Sequence, residues 1–306
     1  MANLKELAKQ GEKFLGGHRA CAGCGATIVA RQVILAAQYP VVVGAATGCL
    51  EVVSTIFPYS AWNVPYIHNA FENVAATMSG VEAAYKALKK KGKIDKDLRF
   101  IAFGGDGGTY DIGLQSLSGM IERRHRVLYI CYNNEAYMNT GIQRSSATPY
   151  GAHTTTSPAG TVLPGKLQPR KNLTEIIIAH EPAYAAQATI GYWNDLVTKV
   201  RKALDAEGPS FINVLSPCRL GWAYPPEKTV EITKLAVETC VWPLYEYENG
   251  KYRITVKPKE KKPVEEFLKL QGRFTHLFKL KDQTPIKEFQ AEVDRIWERL
   301  LKRSSE

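Results

Sequence analysis

Short apolar runs alternate with segments of helical periodicity through most of the chain. The runs have the composition of strands buried on both faces, and they occupy residues 41–46, 98–103, 127–132 and 210–215. Apolar residues recur at helical spacing in the segments near 74–90, 112–121 and 195–207. Strands and helices that alternate in this way build parallel sheets. The pattern therefore predicts an α/β fold with a doubly wound, mostly parallel sheet.

The composition divides the chain into three predicted parts. Residues 1–16 form an N-terminal helix and linker, residues 17–225 the α/β domain, and residues 226–306 a C-terminal extension richer in charge. Within the extension, the residues around 245–253 predict a β-hairpin. An amphipathic closing helix is predicted by apolar residues at helical spacing, namely Ile286, Phe289, Val293, Ile296 and Leu300.

Basic residues exceed acidic ones, and much of the excess lies near the C-terminus. The formal net charge is +10, and residues 251–306 hold 15 Lys and Arg against 9 Asp and Glu. No nucleic-acid-binding module or basic patch interleaved with aromatic residues accompanies this charge, so we expect no nucleic-acid partner. We also expect a cytoplasmic protein without membrane contact, because no apolar run has transmembrane length and the N-terminus is mixed and charged.

A glycine-flanked aspartate stands between a predicted strand and the next predicted helix, in the sequence Gly105, Asp106, Gly107 and Gly108. Asn134 follows the next predicted strand, so in a parallel sheet Asp106 and Asn134 reach the same edge. Glycines allow backbone amides to approach a phosphate, and carboxylate and amide oxygens suit Mg²⁺. The sequence therefore predicts a metal and diphosphate site. A glycine turn with a helix-capping aspartate is the structural alternative.

Six cysteines in a chain without a secretion signal favour metal or redox chemistry over a disulfide framework. Four of them fall at predicted turns, namely Cys21, Cys24, Cys49 and Cys218. Four thiolates suit either an iron–sulfur cluster or a structural zinc ion, and spacing alone does not decide between the two. Cys131 lies in a predicted strand and Cys240 beyond the core, so we interpret both as ordinary packed or free thiols.

The aspartate motif, the asparagine pair Asn133 and Asn134, and the four cysteines together resemble one family. The likeness is to the β subunits of 2-oxoacid:ferredoxin oxidoreductases, pyruvate:ferredoxin oxidoreductase in particular, and it implies their thiamine diphosphate-binding fold. It runs from about residue 17 to residue 222 and includes the loop of Asn139, Thr140, Gly141 and Gln143. The chain differs from the usual pattern of this family in two places. The residues around Cys218 are different, and Asn133 stands where aspartate is frequent.

The resemblance implies a role for each matching residue. Asp106, Asn134 and the carbonyl of Ala136 would hold Mg²⁺, and Gly105, Gly107 and Gly108 would cradle the diphosphate. The four cysteines Cys21, Cys24, Cys49 and Cys218 would hold a 4Fe-4S cluster. Further contacts to thiamine diphosphate carry over to Ala26, Cys49, Asn134, Glu135, Ala136, Tyr137, Met138 and Asn139. Asn139 would also contact the substrate or an intermediate, as a candidate catalytic residue.

The activity implied by the resemblance is oxidative decarboxylation of pyruvate with coenzyme A, which gives acetyl-CoA and CO2 and passes two electrons to ferredoxin. The chain would work only with other subunits, of the alpha, gamma and delta type. One of them would supply the glutamate that activates the aminopyrimidine of thiamine. Glu51 and Glu72 are the local candidates for that glutamate, and the resemblance favours a separate subunit.

Three other interpretations stay open. The substrate could be another small acid, such as 2-oxoglutarate, a branched 2-oxoacid or oxalate, with the same site residues. A thiamine enzyme without redox chemistry would leave the four cysteines unexplained. A non-enzymatic zinc- or cluster-binding scaffold would leave Gly105, Asp106, Gly107 and Asn134 unexplained.

Overall fold

The computed structural model describes residues 3–160 and 163–305, and the strands in those two ranges form one sheet of eight. The strands are β1 (Val41–Ala46), β2 (Tyr66–Asn69), β3 (Arg99–Gly105), β4 (Leu128–Asn133), β5 (Tyr184–Thr189), β6 (Ser210–Leu215), β7 (Leu244–Glu248) and β8 (Lys251–Val256). Their order across the sheet is β2-β1-β3-β4-β6-β5-β7-β8.

The first six strands are parallel, whereas β7 is antiparallel to β5 and β8 is antiparallel to β7. Because β1 lies between β2 and β3, the chain continues from β1 first to one side and then to the other. Open α/β sheets bind ligands at such a reversal, beyond the carboxyl ends of the strands. The predicted doubly wound, mostly parallel sheet is confirmed.

Helices cover both faces of the sheet. The α-helices in the described part of the chain are α1 (Leu4–Ala8), α2 (Gly25–Ala36), α3 (Cys49–Ser54), α4 (Val74–Lys90), α5 (Leu114–Glu122), α6 (Leu173–Ile178), α7 (Trp193–Asp205), α8 (Thr229–Glu238), α9 (Val264–Lys269) and α10 (Thr284–Ser305). None of these helices is both long and apolar enough to cross a lipid bilayer.

Successive residues of each strand supply two separate cores, because side chains alternate between the faces of a sheet. In β3, Phe100 and Ala102 pack in the core that contains α4, α5 and α10. Ile101 and Phe103 pack in the opposite core, which contains α2 and α7. Burial on both faces explains why the parallel strands have almost continuous apolar sequences.

The chain directly after Asp106 is already helical, before the start of α5. A π-helical turn, Gly107–Ile112, begins directly after the aspartate and leads into α5. Its wider winding is visible at its end, where the amide of Gly113 donates to the carbonyl of Gly108 at 2.7 Å. Asp106 therefore stands at the junction of a buried strand and a helical turn.

The C-terminal extension packs against the rest of the chain. Its predicted hairpin is present as β7 and β8, which continue the sheet beyond β5. Its closing helix α10 buries the predicted Ile286, Phe289, Val293 and Leu300, together with Trp297. The division of the chain at residue 225 stays a prediction, and the sheet crosses that boundary.

We predict that Phe289→Ala lowers the free energy of unfolding by about 3–5 kcal/mol, the usual cost of removing a buried phenylalanine ring. Phe289 is 5% exposed, and its ring meets that of Phe274 edge to face. Denaturant unfolding of the full chain measures the change.

Lys287→Ala is the matched control, because Lys287 is an exposed residue on the same helix. Its unfolding free energy should stay within about 0.5 kcal/mol of the parent value. Equal effects of the two substitutions would contradict a stabilising role for α10.

Candidate functional site

Four parallel strands that are neighbours in the sheet, β1, β3, β4 and β6, end at one edge. The first residues after these strands are, respectively, Thr47, Asp106, Asn134 and Ser216. These positions are far apart in sequence, and each was predicted to lie at a strand's carboxyl end. The sheet brings the predicted metal and diphosphate residues together with two of the predicted cluster cysteines, Cys49 and Cys218.

Asp106, Asn134 and Ala136 converge on one another. One terminal atom of the Asn134 side-chain amide lies 2.9 Å from Asp106 Oδ1 and 2.9 Å from the carbonyl oxygen of Ala136. If the amide nitrogen occupies that position, it donates two hydrogen bonds. If the amide oxygen occupies it, three oxygens face one another, and a cation among them would offset their repulsion.

Asp106 is completely buried, and its carboxylate accepts two hydrogen bonds from protein groups. The backbone amide of Asn134 donates to Oδ1 at 3.1 Å, and the hydroxyl of Ser145 donates to Oδ2 at 2.5 Å. Burial raises the pKa of Asp106 to about 7, although these two hydrogen bonds oppose the rise. A neighbouring cation would favour the ionised carboxylate and lower this pKa. Ser145 was not singled out from the sequence.

Two of the predicted glycines are required by packing. A side chain at Gly107 would collide with the ring of Tyr137, and a Cβ atom at Gly108 would lie 2.8 Å from the carbonyl oxygen of Phe71. The backbone after Asp106 is therefore in close contact with two other loops of the site. This requirement holds with or without a bound diphosphate, so a role in holding that group stays a prediction.

Residues 137–143 form a closed turn that carries Asn139. The backbone groups of Tyr137 and Gln143 bond to each other in both directions, at 2.9 and 3.2 Å. Tyr137 also donates through its hydroxyl to Asp111 at 3.0 Å, and Met138 packs on Gly221. The Asn139 side chain lies beside the Cys49 thiol, where it opposes the rise in that thiol's pKa, so this turn adjoins the cysteines.

Glu135 extends its carboxylate toward two arginines. The carboxylate is buried and forms ion pairs with Arg170 and with Arg273, the latter at 2.5 Å. A role of Glu135 in contacting the cofactor stays a prediction. Neither arginine carried any signal in the sequence, because each comes from a segment distant from the glycine and asparagine motifs.

The four predicted cluster cysteines come from three segments around the same edge. Cys24 directly precedes α2, Cys49 is the first residue of α3, and Cys218 follows β6. The amide of Gly25 donates to the carbonyl of Pro217 at 3.2 Å, which joins the segment of Cys21 and Cys24 to that of Cys218. The amide of Gly221 also donates to Cys218 Sγ at 3.4 Å.

The thiols lie near enough to influence one another's titration. Burial is the largest cause that raises the pKa of Cys49, to about 12, and the neighbouring Cys218 and Cys24 raise it further. Burial likewise raises the pKa of Cys218, with contributions from Cys24 and Cys21. Cys131 and Cys240 are buried among apolar side chains, and their interpretation as ordinary packed or free thiols stays a prediction.

No three His, Cys, Asp or Glu side chains within residues 3–160 and 163–305 are grouped closely enough to hold a metal ion. Asp106, Asn134 and Ala136 are not a group of this kind, because Asn134 would contribute its side-chain amide and Ala136 its backbone carbonyl.

The two local glutamate candidates differ in environment. Glu51 is buried on α3, where it accepts from the hydroxyl of Thr55 at 3.0 Å and pairs with His68 at 2.8 Å. Glu72 is exposed just before α4. Which residue would activate a thiamine ring stays a prediction.

Comparison with known sequences defines the class of protein. Residues 46–214 match the thiamine pyrophosphate enzyme family, in its C-terminal TPP binding domain. The fold is similar to that of 2-oxoglutarate:ferredoxin oxidoreductase from Magnetococcus marinus, with a TM-score of 0.57, 21% identity and coverage of 71% of this chain and 69% of that one. The chain therefore contains a thiamine pyrophosphate-binding domain.

Closer relatives narrow the family. The chain is 61% identical to pyruvate synthase subunit PorB of Thermotoga maritima, over 98% of this chain and 95% of that one. It is 60% identical to PorB of Methanocaldococcus jannaschii over 87% and 90%, and 48% identical to ketoisovalerate oxidoreductase subunit VorB of Pyrococcus abyssi over 95% and 93%. The chain belongs to the PorB-like β subunits of the 2-oxoacid:ferredoxin oxidoreductase family.

We predict that Tyr110→Phe destabilises the chain by about 1–3 kcal/mol, because it leaves buried amide donors without an acceptor. The hydroxyl of Tyr110 accepts from Asn133 at 2.9 Å and from Asn213 at 2.7 Å, between the ends of β4 and β6. Thermal unfolding measures the loss.

Tyr150→Phe serves as the control, since the Tyr150 hydroxyl bonds the exposed Glu288 at 2.6 Å. It should change stability by less than about 0.5 kcal/mol. A Tyr110→Phe chain as stable as this control would show that the buried hydroxyl bonds contribute nothing.

Proposed function

We propose that this chain is the thiamine diphosphate- and 4Fe-4S-binding subunit of a pyruvate:ferredoxin oxidoreductase. The reaction converts pyruvate and coenzyme A to acetyl-CoA and CO2 and reduces ferredoxin by two electrons. The observation that carries the proposal is the convergence of an oxygen-rich trio and four cysteines at one sheet edge. The names of the two PorB relatives support pyruvate as the substrate.

The trio of Asp106, Asn134 and Ala136 fits Mg²⁺. Around an octahedral ion with ligands at about 2.1 Å, neighbouring oxygens lie about 3.0 Å apart. The terminal amide atom of Asn134 is 2.9 Å from the oxygens of both other residues. With the amide oxygen facing inward, the spacing already matches that of adjacent magnesium ligands.

The cysteines fit a cluster better than zinc. Four thiolates around one zinc ion, at a Zn–S distance of about 2.3 Å, would lie about 4 Å from one another. Within the described ranges, no such compact group of side chains occurs. An iron–sulfur cluster binds one cysteine at each of four corners, and Cys24, Cys49 and Cys218 lie near enough to influence one another's pKa.

Bound thiamine diphosphate supplies the carbanion chemistry that cleaves a 2-oxoacid, and a 4Fe-4S cluster supplies a one-electron acceptor. The protein's contribution is positional. Asp106, Asn134 and Ala136 hold the metal, while Gly105, Gly107 and Gly108 keep side chains away from the diphosphate. Asn139 lies between the two groups of residues, beside the Cys49 thiol.

Other subunits complete the enzyme. The relatives are named as subunits, and this chain spans 90% or more of the lengths of the three cited. Glu51 is engaged by His68 and Thr55, which favours a glutamate from a partner for activation of the aminopyrimidine. Alpha-, gamma- and delta-type subunits would bring this glutamate, further clusters and the coenzyme A site.

We predict that Asp106→Ala abolishes retention of thiamine diphosphate while the chain still folds, because the variant removes the charged ligand of Mg²⁺. Cofactor content after gel filtration with Mg²⁺ and thiamine diphosphate, together with far-UV circular dichroism, measures both effects. Asp95→Ala removes an exposed aspartate and should retain the cofactor. Equal cofactor content in the two variants would exclude Asp106 as a ligand.

We predict that Cys218→Ala loses iron and sulfide, since it removes one of four cluster ligands. Iron and sulfide analysis of anaerobically purified protein, with EPR of the reduced cluster, measures the loss. Cys131→Ala alters a buried thiol in β4 and should keep full iron content. The reverse outcome, or zinc in place of iron, would contradict the cluster assignment.

We predict that turnover appears only when partner subunits are added. The reconstituted chain is assayed alone and in the complex for reduction of viologen with coenzyme A and pyruvate. Ketoisovalerate and 2-oxoglutarate are compared in parallel, because one relative is named for ketoisovalerate. Pyruvate should give the highest kcat/KM. Full activity of the isolated chain would refute the need for partners, and preference for another acid would change the substrate.

A further inference from the structure

We infer that Arg273 is a positioning residue for the metal site, so that the C-terminal extension helps to build the site. The proposed target is the metal turn, residues 134–136, which Arg273 holds through Glu135. The inference rests on the proposed function, because it assumes that Asn134 and Ala136 are metal ligands. It adds a residue that lies outside the segment from which the site was predicted.

The metal turn has a backbone conformation that needs support. Glu135 has a φ of +66°, in the left-handed region that residues with a side chain seldom adopt. The side-chain amide of its neighbour Asn134 lies 2.9 Å from Asp106 Oδ1 and 2.9 Å from the carbonyl oxygen of its other neighbour, Ala136. A rotation at Glu135 would move both proposed ligands relative to each other. The orientation of the metal ligands therefore depends on what fixes Glu135.

Arg273 contacts the metal turn by two routes. Its guanidinium is buried and donates to Glu135 Oε2 at 2.5 Å. The same guanidinium lies 3.8 Å from the centre of the Trp222 ring, and the indole N–H of Trp222 donates to the backbone carbonyl of Asn134 at 2.7 Å. One side chain of the extension thus supports two consecutive residues of the turn.

The position of Arg273 is itself fixed. Gln271 accepts from its guanidinium at 2.7 and 2.9 Å, and the amide of Gly272 donates to the carbonyl of Ala223 at 3.0 Å. A buried guanidinium with satisfied hydrogen bonds is a rigid support, since its planar fork has little freedom to rearrange. The extension therefore brings a fixed cation to the back of the metal turn.

Arg170 is the second cation on Glu135, but it approaches from a different segment and is more exposed. It also donates to the carbonyl of Ala147 at 3.2 Å. Loss of Arg273 would leave the buried Glu135 carboxylate with one cation in place of two. The turn would then lose a fixed point while the chain kept an ion pair at Glu135.

Groups that orient metal ligands change metal affinity about 10- to 100-fold when they are removed. We therefore expect Arg273→Met to raise the Mn²⁺ concentration for half-saturation by at least about tenfold. Mn²⁺ serves as the EPR-visible probe, because oxygen sites that accept Mg²⁺ also accept Mn²⁺. Binding is followed by EPR in the full complex with partner subunits, at saturating thiamine diphosphate and without substrate.

Arg99→Met is the matched control. Arg99 is also a buried arginine, pairs with Asp97 at 2.6 Å and lies 4.0 Å from the centre of the Tyr39 ring. It stands at the first residue of β3, whereas Asp106 follows the last. Arg99→Met should destabilise the fold, but it should change the Mn²⁺ concentration for half-saturation by less than about twofold.

Arg273→Lys and Glu135→Gln protect the test against a variant that fails to fold. Lysine restores the charge without the planar guanidinium. The Mn²⁺ concentration for half-saturation of Arg273→Lys should therefore fall between those of the parent and of Arg273→Met. Glu135→Gln should raise the Mn²⁺ concentration for half-saturation, and the double variant Glu135→Gln/Arg273→Met should raise it by less than the product of the two single effects, because both substitutions remove the same ion pair.

Folded Arg273 variants with the parent's half-saturation would overturn the inference, and so would equal effects of Arg273→Met and Arg99→Met. Failure of the parent complex to bind Mn²⁺ with thiamine diphosphate would instead overturn the proposed metal site. The two failures are thus distinguishable in one titration series.

Discussion

The structure depends on the shared carboxyl edge of its parallel strands. In the register of the sheet, Gly105 pairs with Tyr132 and Asn133 pairs with Leu215. Asn134 and Ser216 therefore leave the sheet side by side, and Asp106 leaves it one residue earlier, level with Asn133. A slip of one residue would turn alternate side chains to the opposite face, so burial of both faces also fixes the site.

Burial of polar oxygens at this edge has a cost that surrounding donors offset. Asp106 has no exposure to solvent, and its raised pKa reflects the loss of hydration. Ser145 donates to its carboxylate, and Thr148 of the same loop donates to the carbonyl of Glu135 at 2.6 Å. The polar loop after the metal turn thus acts as a second layer, consistent with a site that is formed before any ligand binds.

The C-terminal extension is integrated with this layer. Its hairpin continues the sheet, α10 covers the core, and Arg273 enters from behind the metal turn. Part of the basic excess near the C-terminus pairs with acidic residues of the same chain, since Arg273 pairs with the buried Glu135 and Arg303 pairs with Glu175. Net charge alone therefore gives a poor account of the surface that partners would meet.

The sequence by itself determined the fold class, several element boundaries and the short motifs. Strands 41–46 and 210–215 and the helix 74–90 coincide with the structure, because buried strands and amphipathic helices leave periodic patterns of apolar residues. Gly105, Asp106 and Asn134 were found because their chemistry is local to two strand ends. Only the tertiary structure decided the rest of the site. Ser145, Arg170 and Arg273 act through contacts with residues 35 to 138 positions away, and such contacts leave no periodic signal in one sequence. In the π-helical turn after Asp106, Gly107 and Gly108 likewise pack against Tyr137 and Phe71, which the folded chain alone brings into contact.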